Sequence, residues 1–122
     1  MSDLDKFGEF FVQNFRDKAL QNLQFLFEQK WKAPSLQDLQ GRLAALREAE
    51  RDLVYELVDD ILTTAMHDLL FAIQESHDFG EGIEVLVDGK PVAGLSDGLH
   101  GEIFCDNGWI KRFSKYPYTE RV

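Results

Sequence analysis

The residues of this chain that are best suited to chemistry are its three histidines, its single cysteine and a dense run of carboxylates. His67 directly precedes Asp68, and His100 follows a glycine-containing loop. A histidine beside a carboxylate can act as a general base or contribute to a weak metal site. The candidate site for a small metal-dependent hydrolase therefore comprises His67, Asp68, Ser96, Asp97 and His100.

The spacing around these residues argues against a tight metal site. His67 has no second histidine at ligand spacing on its own helix, which an HExxH motif would require. The loop over 96–98 has neither the G-x-S-x-G pattern of a nucleophile elbow nor the GK[ST] pattern of a P-loop. We therefore expect no bound metal and no cofactor, and we favour a non-enzymatic function.

Two of the reactive residues have structural interpretations. No cysteine-protease signature surrounds Cys105, so we expect it to be a small packing residue beside Trp109. Asp68 lies towards the apolar side of its predicted helix, where a carboxylate must be hydrogen-bonded. We predict that Asp68 accepts amides of a C-terminal loop, and that Asp68→Ala costs about 1–3 kcal/mol.

The carboxylates are densest between residues 48 and 60, where Arg51 is the only Lys or Arg. Such a patch is either a solvated face or a docking surface for a basic partner. We predict a docking surface, formed by Glu48, Glu50, Asp52, Glu56, Asp59 and Asp60.

Composition limits the function classes further. The chain has 122 residues, with 13 Lys and Arg against 22 Asp and Glu, and a net charge of −9. This charge argues against nucleic-acid binding, because phosphates would be repelled. The absence of a long apolar run argues against a membrane span. One cysteine and an acidic N-terminus without a secretory pattern predict a cytoplasmic protein.

Glycine and proline usage divides the chain into two parts. Residues 1–80 are predicted to be helical, residues 81–116 to form β-hairpins, and residues 117–122 to be a C-terminal tail of one domain, 1–122. The predicted fold is α+β, with three N-terminal helices packed on a small C-terminal antiparallel sheet of two hairpins.

Apolar residues at steps of three or four predict a first helix over 4–31, which Pro34 ends. Ser35 is a good N-cap for a second, shorter helix. A single helix from 35 to 77 would be about 63 Å long, so we predict a break near 47–51.

The third predicted helix, 51–77, is the most apolar. Because apolar residues cover most of its surface, we expect it to be packed on two sides. Its line facing water is predicted to contain Asp52, Glu56, Asp59, Thr63, His67 and Gln74.

Alternating apolar residues predict a first hairpin over 83–94, turning at Asp88-Gly89. Pro91 lacks an amide donor, so the returning strand is expected to be short or at an edge. A second hairpin is predicted over 101–113. A three-residue loop with Gly108 in the left-handed region would pair apolar with apolar residues and opposite charges across the ladder.

The stretches AMHDLLFAIQE (65–75) and IEVLVDGKPVAGLSDGLHGEIFCDNGWIKRFSKY (83–116) resemble a group of small, mostly uncharacterised bacterial α+β proteins. The resemblance implies no activity and no catalytic residue. In size and acidity the chain is also similar to bacterial immunity proteins, which block toxic nucleases by charge complementarity.

These observations favour a non-enzymatic, acidic cytosolic binding protein, of the immunity type, that inhibits a basic protein partner. One alternative is the small metal-dependent hydrolase that uses His67 and Asp68. Another is a homo-oligomeric structural protein that buries surplus phenylalanine side chains of the first helix.

Overall fold

The structure, a computed structural model, describes residues 1–104 and 106–116. The predictions for Cys105 and for the tail 117–122 lie outside the described residues. Most of the described chain is helical, and it has one two-stranded antiparallel sheet, which fits the α+β class. The elements in chain order are α1 (Asp3–Phe11), a π-helical segment (Val12–Asp17), α2 (Lys18–Phe27), α3 (Pro34–Ala44), α4 (Glu48–Asp78), β1 (Leu86–Val87), β2 (Lys90–Pro91), 3-10 turns (Val92–Leu95 and Leu99–Gly101) and α5 (Trp109–Phe113).

The predicted first helix is present but contains the π-helical segment and ends earlier. Ser2 caps it by accepting a hydrogen bond from the amide of Asp5 at 3.1 Å. The wider π turn shifts the register of the helix, so residues after it no longer follow the apolar stripe of α1. The helix ends at Phe27, not at residue 31, because Gln29 adopts a left-handed conformation (φ 56°) that closes a Schellman-type cap.

Helix α3 begins two residues before the predicted start. Ala33 is its N-cap and Pro34 its first residue, so Ser35 does not have the predicted capping role. Proline fits this first position because its missing amide has no helical partner there. The predicted break before the long helix is present at residues 45–47, slightly earlier than expected.

The first predicted hairpin is present, but its strands cover only 86–87 and 90–91 of the predicted 83–94, and the second hairpin is wrong. Leu86 pairs with Pro91 across a turn in which Asp88 and Gly89 both have positive φ, as a type I′ turn requires. The region predicted as the second hairpin forms a 3-10 turn and α5 among the described residues. Trp109 and Ile110 are both buried, and consecutive strand residues would point to opposite faces.

Gly108 therefore does not have the predicted left-handed conformation: its φ is −71°. A Cβ at this position would lie within 2.0 Å of the Phe104 carbonyl oxygen. The glycine is needed for this close approach, which returns the chain towards the core.

The apolar core lies between α1, the C-terminal half of α4 and the segment after the hairpin. Trp109 is fully buried at its centre, and its ring packs edge-to-face on Phe7 at 5.9 Å. A bidentate ion pair from Arg112 to Asp5 fastens α5 to α1 and lowers the pKa of that carboxyl group. The buried apolar residues are Phe7, Phe11, Val12, Met66, Leu70, Val92, Ala93, Leu99, Ile103, Trp109 and Ile110.

The prediction that the long helix is packed on two sides is wrong. Helix α3 packs against α2, and the core covers one face of α4 only. Thr63 and Gln74, which were predicted to face water, are on that buried face. The apolar residues on the opposite face remain exposed. No helix in residues 1–104 and 106–116 is long and apolar enough to cross a membrane.

Candidate functional site

The side of α4 that points away from the core carries a row of exposed apolar residues. We call this side the outward face, and its apolar row consists of Leu53, Leu57, Ile61, Ala65 and Leu69, which follow one another at intervals of four residues. Leu53, Leu57 and Ile61 are 64%, 55% and 59% exposed. The row extends for about 24 Å at 1.5 Å per residue. Contiguous exposed apolar surface of this kind marks interaction sites in soluble proteins.

An acidic row borders the outward face on one side. It consists of Asp52, Glu56 and Asp60, which are exposed and also four residues apart. Helix α4 as a whole carries nine carboxylates and Arg51 as its only Lys or Arg. The electrostatic potential over the outward face is therefore negative, and it attracts cations.

The structure assigns different roles to two residues of the predicted acidic patch. The Glu50 carboxylate accepts hydrogen bonds from the amide and the guanidinium of Arg47, which caps α4 and lowers the pKa of Glu50. Asp59 turns inward and pairs with Arg16. Burial, with a further contribution from Asp59, raises the pKa of Tyr55. Of the predicted acidic patch, Glu48 and the acidic row therefore remain on the exposed surface.

A buried polar network holds α4 against the π-helical segment. Arg16 is fully buried and bonds to Asp59, to the hydroxyl of Thr63 at 3.4 Å and to the hydroxyl of Ser114 at 3.2 Å. Ser114 in turn donates to the buried Asp17 at 2.7 Å. A buried charge needs such partners, so this network fixes the rotation of α4 and thereby which face points outward.

The candidate hydrolase residues are brought together only in part. The rings of His67 and His100 meet edge-to-face at 5.3 Å, and Phe71 and Phe104 pack beside them. Nδ1 of His67 lies 3.1 Å from the carboxylate of Asp68. A carboxylate at this nitrogen fixes the tautomer and leaves Nε2 as an acceptor, as in a general base.

The other two members do not complete a catalytic arrangement. The hydroxyl of Ser96 donates to Glu102 at 2.8 Å and accepts the amide of Gly98 at 3.0 Å, so it belongs to its own turn. Asp97 is exposed. Within the described part of the chain, no group of three or more His, Cys, Asp or Glu residues is placed to hold a metal ion.

The predicted burial of Asp68 is wrong, and Gln74 has the role expected of it. The Asp68 side chain is 71% exposed. Gln74 is buried, donates to the Ala93 carbonyl at 3.1 Å and accepts the Leu99 amide at 3.0 Å. An amide can satisfy a carbonyl and an N–H together, whereas a carboxylate only accepts. Gln74 therefore joins α4 to both 3-10 turns.

We expect Gln74→Leu to destabilise the fold by about 1–3 kcal/mol, because it leaves a buried donor and a buried acceptor unpaired. Asp68→Ala is the matched control on the same helix, and its expected effect is within about 0.5 kcal/mol, as for most exposed positions. Urea unfolding midpoints of the two variants measure the difference. Equal midpoints would show that Gln74 is not the connection.

Sequence reasoning missed the outward face, although a signal for it was present. The apolar positions of α4 occupy more than one side of a helix, while the strands available to cover it are short. Surplus apolar surface on a central helix therefore indicated either a second packing layer or a surface open to a partner.

Comparison of the chain with protein-family models, with curated proteins and with solved structures finds no match.

Proposed function

We propose that this chain is a non-enzymatic binding protein whose outward face of α4 docks a basic, amphipathic helix of a partner protein. The observation that supports this most strongly is the combination of two parallel rows on one helix, exposed Leu53, Leu57 and Ile61 beside the acidic row. A partner helix with apolar residues in one stripe and lysine or arginine at its edge is complementary to both rows.

The apolar row and the acidic row contribute to binding in different ways. Burying the apolar row contributes affinity in proportion to the area removed from water, about 25 cal/mol per Å². The acidic row accelerates encounter with a cationic partner and selects against acidic ones. Helix-on-helix recognition through residues at intervals of three and four is a common mode of peptide binding. Inhibition of a basic partner, as in immunity proteins, is the finer form of this proposal.

Pairing of two copies through the same face is a weaker proposal. A two-fold interface brings a surface against itself, and here it would place an acidic helix against an identical acidic helix. Like charges in contact cost several kcal/mol. We expect the protein to be monomeric by sedimentation, and a stable dimer broken by Leu57→Ser would favour the homo-oligomer instead.

A defined peptide tests the proposed function directly. The probe is a fluorescent helical peptide of leucine and lysine, with leucines in one stripe, and its control carries glutamate in place of lysine. We expect the lysine peptide to bind with micromolar affinity and the glutamate peptide not to bind. Leu57→Ser, or combined Asp52→Asn, Glu56→Gln and Asp60→Asn, should each weaken binding about tenfold or more.

Two controls distinguish binding at the outward face from non-specific hydrophobic adsorption and from non-specific attraction to an acidic protein. Leu39→Ser removes a leucine that is 40% exposed on α3, and it should leave affinity unchanged. Asp38→Asn with Glu81→Gln removes exposed carboxylates elsewhere. If these controls weaken binding as much as the α4 variants do, the peptide does not recognise the outward face and the proposal is wrong.

A further inference from the structure

A second site lies at the π-helical segment, away from the outward face of α4. It is a cleft of about 240 Å³ between this segment, the start of α2 and residues Lys115 and Tyr116, which follow α5. π-helical turns inside α-helices occur frequently at functional sites.

Several hydrogen-bond acceptors line the cleft. Asp17 is 6% exposed, and its two oxygens accept from the Ser114 hydroxyl at 2.7 Å and the Lys115 amide at 3.1 Å. A carboxylate has about four lone-pair positions, so Asp17 retains acceptor capacity. The side-chain amide of Asn14 donates to the Phe10 carbonyl at 2.9 Å, and that of Gln13 to the Phe113 carbonyl at 3.5 Å. Both side chains therefore keep their carbonyl oxygens as acceptors.

Two cationic side chains also line the cleft. Lys18 and Lys115 both line it and are exposed. Neither ammonium group has a hydrogen-bond or ion-pair partner among the described residues, although the chain has a net charge of −9 and most of its other lysines are paired. An anionic group entering the cleft would be attracted by the positive charges of both lysines.

We propose that this cleft binds the zwitterionic head group of a free α-amino acid. Its ammonium group lies against Asp17 and the oxygens of Asn14 and Gln13, and its carboxylate between Lys18 and Lys115. A simple anion would be opposed by Asp17, and a simple cation by the two lysines. A ligand with both charges on adjacent groups can pair with the carboxylate and with the lysines together.

The test is an amide NMR titration of the full chain with glycine and L-glutamine as probes. We expect saturable shifts in residues 13–21 and 114–116. N-acetylglycine lacks the ammonium group and glycinamide lacks the carboxylate, and each should bind at least about tenfold more weakly. Lys115→Gln should weaken glycine binding about tenfold, while Lys32→Gln, an exposed lysine outside the cleft, should not change it.

The two variants replace exposed side chains, so unfolding midpoints equal to that of the wild type are expected, and these confirm that any lost binding is local. Absence of saturable shifts with both amino acids would overturn the proposal. Equal binding of N-acetylglycine, glycinamide and glycine would overturn it as well, because the cleft would then not recognise both the ammonium group and the carboxylate.

Discussion

Arg16→Met is expected to destabilise the fold by about 3–5 kcal/mol, because breaking a buried ion pair leaves an uncompensated charge in the interior. Arg16 is fully buried, and the side chain of its partner Asp59 is only 14% exposed. The substitution also removes the donors that Ser114 and Thr63 accept. Chemical denaturation at neutral pH measures the loss.

Two comparisons make this result specific. The double substitution Arg16→Met with Asp59→Leu removes both charges, and it should recover much of the lost stability, since buried pairs can be replaced by apolar residues at little cost. Arg42→Met removes an arginine whose side chain is 77% exposed, and its effect should stay within about 0.5 kcal/mol. A loss for Arg16→Met as small as that for Arg42→Met would contradict the buried network.

Trp109→Ala is expected to cost about 3–5 kcal/mol, the usual range for removing a large buried aromatic side chain. Trp109 is fully buried and lies against Gly8, where an added Cβ would come within 2.4 Å of the indole ring. The ring and the glycine are thus complementary. Gly8→Ala alone should cost about 1–3 kcal/mol through overpacking, measured in the same way.

The control for Trp109 is the other tryptophan. Trp31 is 40% exposed and packs on Phe25 at the end of α2, so Trp31→Ala should cost clearly less. In addition, Gly8→Ala should add little to Trp109→Ala, because the smaller side chain leaves room for the new methyl group. Fully additive losses would show that Gly8 and Trp109 do not share the contact.

Features set by short stretches of sequence were predictable. The turn at Asp88-Gly89 needs two residues that tolerate positive φ, and this pair supplies them. A two-residue turn then fixes which flanking residues pair with each other. The positions of α3 and α4 followed from apolar periodicity and the limit that domain size places on helix length. The end of the first helix was predicted four residues too late, because Gln29 terminates it without glycine or proline as a signal.

Features that depend on tertiary packing were not predictable from local patterns. The π-helical segment shifts the helix register and turns Arg16 and Asp17 inward, which a fixed 3.6-residue period cannot represent. The rotation of α4 was assigned from its apolar residues, but Thr63 and Gln74, two members of the predicted polar stripe, are buried and hydrogen-bonded. The alternating residues after Gly101 resembled a strand, yet the burial of Trp109 beside Ile110 requires a helical turn.

The central claim is that the outward face of α4 is the partner-binding surface, and mapping of the bound leucine–lysine peptide by amide NMR tests it most directly. We expect the largest shifts and the strongest protection at Leu53, Leu57, Ile61 and the acidic row. Binding should weaken as salt is raised, because exposed charges are screened from one another beyond about 8–10 Å at physiological ionic strength and at shorter distances in higher salt. Shifts concentrated elsewhere, such as the groove between Phe10 and Leu86, with none along α4, would contradict the claim.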